Sequence, residues 1–233
     1  MILSDTELYY VPPDKISDNQ IKLNEVESLH VTKVMRHDIN DELLVTDGIG
    51  NTYKGIITEN DKKSVKLKIK DCYYRENKFK NITFYFPILK TSDRFDFAIE
   101  KCVELGITNF AIYSGKKSYK RGIKIERWEK IGLAAMKQSL QCYKPKILYQ
   151  DSLINMNNGI NIIFDQLAEK PFSTFLTNVG NEKMKNIIIG PEAGFSKNEL
   201  NQLDNKNFVH LSKDRLRTET AAIVAASALN LIL

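Results

Sequence analysis

Cysteine and histidine are both scarce, with three of each in 233 residues. Cys72, Cys102 and Cys142 stand thirty and forty residues apart with no Cys-x-x-Cys pair, which excludes a disulfide framework and a zinc site; the thiols read as reduced. No apolar run approaches the roughly 20 residues that span a bilayer. The opening "MILSDTELYYVPPD" has neither the basic start nor the apolar core of a signal peptide. A cytoplasmic protein without membrane attachment is expected. Internal repeats and low-complexity segments are also missing, as are the GxGxxG and GxxxxGK[ST] phosphate loops.

What is present is an uneven charge. The net +5 conceals an acidic stretch, residues 1–53, with four basic and ten acidic side chains. Residues 54–90 carry ten basic against four acidic, and residues 113–147 ten against two. Basic zones of this kind suit a phosphate backbone, although lysine also serves solubility alone.

The first seventy residues are rich in strand signals. "ELYYVP" opens, "ELLVTD" and "TYKGIIT" flank a Gly48–Asn51 turn, and "SVKLKIKD" alternates with period two. Asn24 with Glu27 predicts a helix start, and Val26, Leu29 and Val34 give it an apolar stripe. A small β-barrel with an inserted helix follows from this pattern. The aperiodic "CYYRENKFKN" places a domain boundary after Cys72, giving domains 1–72 and 73–233.

Beyond it strands and helices alternate, as in an α/β domain with a mostly parallel sheet. "ITFYFPIL", "TNFAIY", "NIIF", "NIIIG" and "NFVHL" read as strands. The helix "DRFDFAIEKCVEL" places Phe95, Ala98, Ile99, Cys102 and Leu105 on one face before Gly106 stops it. The closing helix is apolar almost all round from Ala221 to Leu233, so it is either sandwiched in the domain or meets another subunit.

Two loops stand where ligands are bound in α/β folds. "IGPEAGFS" (189–196) joins a strand to a helix that Ser196 and Glu199 open with a capping box, and it exposes backbone N–H groups there. "LSKDRLRTETAA" (211–222) sets Arg215, Arg217 and Glu219 before the last helix. The two are expected to leave neighbouring strands at one sheet edge. Thr218 and Thr220 read locally as caps.

Together these loops resemble the SPOUT-class RNA methyltransferases, in particular the bacterial ribosomal RNA small subunit methyltransferase E family. Upstream, "ILKTSDRFDFAIEKCVELGI" with Lys101, Glu104, Leu105 and Gly106 is similar to that family's helix, "AAMKQSLQCYKP" to its Gln-Ser segment, and "HVTKVMRH" with His30, Val34, Met35 and Arg36 to its N-terminal box. The resemblance implies a PUA-like RNA-binding barrel followed by a SPOUT domain with a C-terminal trefoil knot, acting as a homodimer. It implies S-adenosylmethionine as cofactor and N3-methylation of a uridine in 16S rRNA of the small ribosomal subunit. On that reading Ile189, Gly190, Pro191, Glu192, Gly194, Leu211, Leu216, Arg217 and Thr218 hold the cofactor. Arg217 stabilises the charge on the base, with Glu192 and Glu219 as alternatives for holding the methionine amino group or removing the proton. His30, Arg36, Lys90, Arg94, Lys116, Lys117, Lys120 and Arg121 are candidates for RNA contacts. His30 and His37 lie in the barrel segment and read as surface or packing histidines. Three positions depart from the family pattern: Ala193 for a glycine, Ser212 for the glycine before the arginine motif, and Gln141 for an arginine. They keep two alternatives open, a noncatalytic RNA-binding assembly protein and a related methyltransferase with another target.

Overall fold

The computed structural model describes residues 6–17, 19–116, 122–153, 159–174 and 183–232. The chain divides into two compact units, Met1–Asn77 with Met136–Lys144, and Lys78–Ala135 with Pro145–Leu233. A boundary drawn after Cys72 thus differs from the structure at one important place: the Gln-Ser segment belongs with the N-terminal unit. Hydrogen bonds explain why. The Cys142 carbonyl accepts from Gly50 N at 3.0 Å, Lys144 N donates to Gly48 O at 2.9 Å, and Arg75 Nη2 donates to Leu140 O at 2.9 Å. Lys137 also places Nζ 2.7 Å from Glu27 Oε1, pairing a carboxylate whose side chain is only 7% exposed.

The first unit is one open sheet of β1 (Leu8–Tyr10), β2 (Ile16–Ser17), β3 (Gln20–Lys22), β4 (Glu42–Thr46), β5 (Asn51–Glu59) and β6 (Lys66–Tyr74), with α1 (Glu25–Leu29) inserted. Its order is β1-β4-β5-β6-β3-β2; β1 runs parallel to β4 and every other pair is antiparallel, giving a PUA-like half-barrel. Val11, Ile21, Leu23, Val31, Val45, Ile57 and Leu67 fill its core.

The inserted helix starts as expected, with Asn24 Oδ1 accepting from Glu27 N at 2.9 Å. Its expected apolar stripe is not its buried face. Val26, Leu29 and Val34 are exposed, while Glu27, Ser28 and Val31 are buried. After Leu29 the backbone loosens into a π-helical turn, His30–Val34, which shifts the phase of the residues that follow. The two buried polar groups have partners, Glu27 in its pair with Lys137 and Ser28 Oγ accepting from Val65 N at 2.9 Å.

The second unit is α/β. Six parallel strands, β7 (Ile82–Pro87), β8 (Asn109–Tyr113), β9 (Lys146–Gln150), β10 (Ile160–Phe164), β11 (Lys185–Ile188) and β12 (Lys206–Val209), lie in the order β12-β10-β11-β7-β8-β9. Helices α2 (Ser92–Glu104), α3 (Ile125–Gln138), α4 (Lys197–Asn201) and α5 (Thr218–Ile232) connect or follow them. Central strands buried on both faces carry apolar runs, as Phe84, Tyr85, Phe86 and Ile187, Ile188, Ile189 do. The buried face of α2 is Phe95, Ala98, Ile99, Cys102 and Val103, with Val103 in place of the expected Leu105. Gly106 ends that helix at φ +96°, a conformation a side chain would resist. α2 packs against α5, whose Ala222, Ala225, Ala226 and Leu229 are buried while Val224, Leu231 and Ile232 stay exposed. Among the described residues no helix is long and apolar enough to cross a membrane, and no cluster of side chains is suited to hold a metal ion.

Candidate active site

The strand order reverses direction around β7 and β11, so the connections leaving their carboxyl ends diverge and open a crevice, where doubly wound sheets bind ligands. The loop after β11 is Ile189–Ser196 and the loop after β12 is Leu211–Arg217. These two strands are not neighbours, which corrects the sequence-based expectation: β10 lies between them and pairs with both. A third segment, Asp165–Leu167 leaving β10, therefore joins the site. It was missed because nothing in "DQLAEK" signals a loop with a ligand; only the strand order puts it there.

The three segments and the start of α2 line a cleft of about 870 Å³, within the range of small-molecule sites. All nine residues predicted to hold a cofactor lie on its wall: Ile189, Gly190, Pro191, Glu192, Gly194, Leu211, Leu216, Arg217 and Thr218. Glu219 and Arg215 line it as well. Phe195, Phe208 and Leu167 add apolar surface, and Arg94 adds a charge that the sequence reading assigned to RNA.

The loop geometry explains its residues. Gly194 sits at φ +74° with open space where a Cβ would go, so its requirement is conformational. Gly190 has no such φ, but a Cβ there would meet the Phe195 ring at 3.0 Å. Ala193 is absent from the positive-φ residues, so alanine fits where the family has glycine. The same holds for Ser212, whose Oγ accepts from Asp214 N at 3.0 Å. Thr218 does not act as a free cap: it is buried and its Oγ1 donates to Gly190 O at 3.2 Å, tying one loop to the other, while Thr220 is exposed. Beneath the loop Tyr113 donates its hydroxyl to Ile189 O at 2.6 Å, and burial, with the nearby Glu199 carboxylate, holds that phenol well above the usual tyrosine range and so protonated. At the far end the expected capping box is complete, with Glu199 N donating to Ser196 Oγ and Ser196 N to Glu199 Oε2.

Four charged side chains meet on the cleft wall. Glu192 Oε2 accepts from Lys90 N at 3.0 Å, and its Oε1 lies 4.0 Å from Arg94 Nη1. Glu219 Oε1 lies 3.6 Å from Arg94 Nε and 3.9 Å from Arg217 Nη1. Arg94 is thus engaged with carboxylates in the cleft.

The remaining predicted RNA contacts are dispersed. In the second unit Lys116 gives its backbone N–H to Glu199 Oε1 at 2.9 Å; Lys117, Lys120 and Arg121 lie outside the described residues. In the first unit Arg36 is exposed at φ +56°. His30 tilts against Tyr9 with Nδ1 3.6 Å from Glu7 Oε2, and His37 Nδ1 is 3.2 Å from Asp41 Oδ2. Gln141 accepts from Arg75 Nη2 at 3.4 Å within the same unit.

Comparison with known proteins matches the family described as an RNA methyltransferase domain over residues 75–230, and an RNA methyltransferase PUA domain over 23–70. The ribosomal RNA small subunit methyltransferase E of Mesomycoplasma hyopneumoniae (strain 232) is 33% identical over 180 residues, covering 72% of this chain and 76% of that one. The chain belongs to the ribosomal RNA small subunit methyltransferase E family. Its similarity to the family member of Buchnera aphidicola is 29% over 232 residues, 93% of this chain and 90% of the relative. A crystal structure of ribosomal RNA small subunit methyltransferase E from Neisseria gonorrhoeae bound to S-adenosyl methionine superimposes with a TM-score of 0.84 at 25% identity, covering 97% of this chain and 98% of that one.

Proposed function

We propose that this chain is an S-adenosylmethionine-dependent methyltransferase of 16S rRNA that methylates N3 of one uridine in the small ribosomal subunit. The observation that carries the reading is a single cleft at the switch point of a parallel sheet, walled by both signature loops, in a chain of this family. The residues present suit the cofactor. Ile189, Leu211, Leu216 and Phe195 offer apolar walls for a purine, and the approach of Gly190 to Phe195 leaves no room for a side chain in the loop that would face it. When bound, S-adenosylmethionine supplies an electrophilic methyl group on sulfur. The protein's part is then positioning and charge: the cleft aligns the two reactants, and Arg217, 68% exposed at its side chain, is placed to donate to an anionic planar base.

RNA recognition is assigned to the PUA-like domain, residues 1–72 in the sequence reading, together with the basic side chains predicted from it. The reading also includes the trefoil-knot threading and a homodimer. Support for the threading is the strand order β12-β10-β11, in which the chain leaving β11 must cross past β10 before it pairs as β12. Support for the dimer is the apolar face of α5 that α2 leaves uncovered, with Val224, Leu231 and Ile232 exposed.

The test is transfer of labelled methyl from S-adenosylmethionine to small subunits lacking their natural methylation, beside deproteinised rRNA, with the labelled nucleoside identified. N3-methyluridine at one site is expected. RNA binding without transfer would replace this reading by that of a noncatalytic assembly protein.

A further inference from the structure

Two carboxylates of the second unit are both buried and differ in what they touch. Glu199, 2% exposed, accepts backbone N–H groups on both oxygens, from Lys116 and from Ser196. Glu219, 9% exposed, has a buried Oε2 with no hydrogen-bond partner among the described residues. Its Oε1 faces Arg94 and Arg217 at 3.6 and 3.9 Å, distances of ion pairs rather than hydrogen bonds. A buried carboxylate with empty acceptor positions is costly, and such a group at the wall of a ligand cleft is explained when a donor arrives with the ligand. Both guanidiniums keep donors unspent on the carboxylate.

We propose that Arg94, Glu219 and Arg217 form a donor–acceptor–donor edge that reads the imide of the target uracil, with Glu219 accepting the N3 proton. This rests on the reading of the substrate as a uridine methylated at N3. A uracil edge presents carbonyl, N–H and carbonyl, the complement of guanidinium, carboxylate and guanidinium. A cytosine edge offers an acceptor where the carboxylate needs a donor and an amino group where a guanidinium needs an acceptor, and mismatched buried polar groups reject a ligand strongly. In the transfer the N3–H bond breaks, its proton passes to the Glu219 carboxylate, and the electron pair stays on the imide, spread over two carbonyl oxygens beside the guanidiniums. That pair forms the new bond to the methyl carbon, and the carbon–sulfur pair leaves with the neutral thioether.

Glu192 is the less suitable carboxylate, because one oxygen already accepts from Lys90 N and a third of the side chain is exposed. The other charged groups lining the cleft are Asp165, Asp214 and Arg215. Among the described residues Glu219 forms ion pairs with Arg94 and Arg217 and with none of these three, so the two arginines set its surroundings.

The test compares wild type and Glu219→Gln in full-length protein, with S-adenosylmethionine affinity measured by calorimetry and transfer measured at saturating cofactor. The substrate is small subunits reconstituted with uridine or with 5-fluorouridine, whose imide is more acidic. Loss of a proton acceptor predicts transfer reduced by about 100-fold or more on uridine, cofactor affinity within about threefold of wild type, and a deficit at least about tenfold smaller on 5-fluorouridine. Affinity for S-adenosylmethionine reduced more than about tenfold, with transfer restored at saturation, would overturn it and assign Glu219 to the cofactor's ammonium group. An equal deficit on both substrates, or none, would overturn it too. Should Glu219→Gln fail to fold, Arg94→Lys carries the test: it keeps the charge and loses the fork, and unchanged transfer on uridine would sink the proposal. Failure of the underlying reading shows separately, in a wild-type arm that yields no N3-methyluridine.

Discussion

A methyl group added at residue 194 and one added at residue 190 would do different kinds of damage. At Gly194 there is room for the atom but the backbone, at φ +74°, is one that L-residues resist. Gly194→Ala is expected to lower stability by about 1–2 kcal/mol, read as a denaturation midpoint, and to weaken S-adenosylmethionine binding as the loop relaxes. At Ala193 the φ is ordinary, so Ala193→Gly, which restores the family residue, should cost up to about 1 kcal/mol through the freer unfolded chain and leave transfer intact. The same denaturation series decides both. The sequence alone raised the doubt about Ala193 without settling it, because which of two adjacent residues turns left-handed is a backbone property that composition does not reveal.

At the level of elements, Glu199 holds three pieces in place: it closes the capping box of α4, fixes Ser196 at the end of the cleft loop, and accepts from Lys116 in the segment after β8. Burial alone would raise its carboxyl, but the hydrogen bonds from Ser196 and Lys116 outweigh burial and hold it below the ordinary value of 4.5. A depressed folded value means a stabilising contribution that is complete above 4.5 and is lost as pH falls through the folded value. Glu199→Gln is therefore expected to destabilise by roughly 1–3 kcal/mol near neutrality, with the gap from wild type closing in acid; denaturation at pH 7 and below 4 checks it. The box itself was legible from Ser196 and Glu199, as were β7, β11 and the buried face of α2, because caps and periodicity are local. β9 was not: of its five residues only Ile147 is buried, and Leu148 faces out from an edge strand. The helix after Asn24 was placed but its inward face was not, since Glu27 and Ser28 are buried through partners, Lys137 and Val65, that lie far along the chain.

For the whole molecule, the membership of Met136–Lys144 in the first unit makes a cut after residue 77 destructive. A fragment of residues 1–77 loses the Lys137 partner of Glu27 and the acceptors at Leu140 and Cys142, and should unfold without a cooperative transition by circular dichroism. The open face of α5 sets a second expectation at this scale, resting on the proposed homodimer: Val224→Arg should give the sedimentation coefficient of a monomer where the wild type gives that of a dimer, while the unfolding midpoint shifts little, because the substituted side chain already meets solvent in the single chain. The boundary was not readable by composition alone, which sees neighbours in sequence and not in space. The register of the central sheet has one more consequence, in the order in which the protein comes into being. β7 pairs through Ile82 with Lys185, about a hundred residues later, and β10 finds one partner in β12 only once residue 206 is made. Such distant closures fold slowly, so during synthesis the helices and the N-terminal sheet have time to form while the central strand still lacks its neighbour. Catalytic competence is thus among the last properties to emerge from the ribosome, and refolding from denaturant should recover helix signal well before cofactor binding.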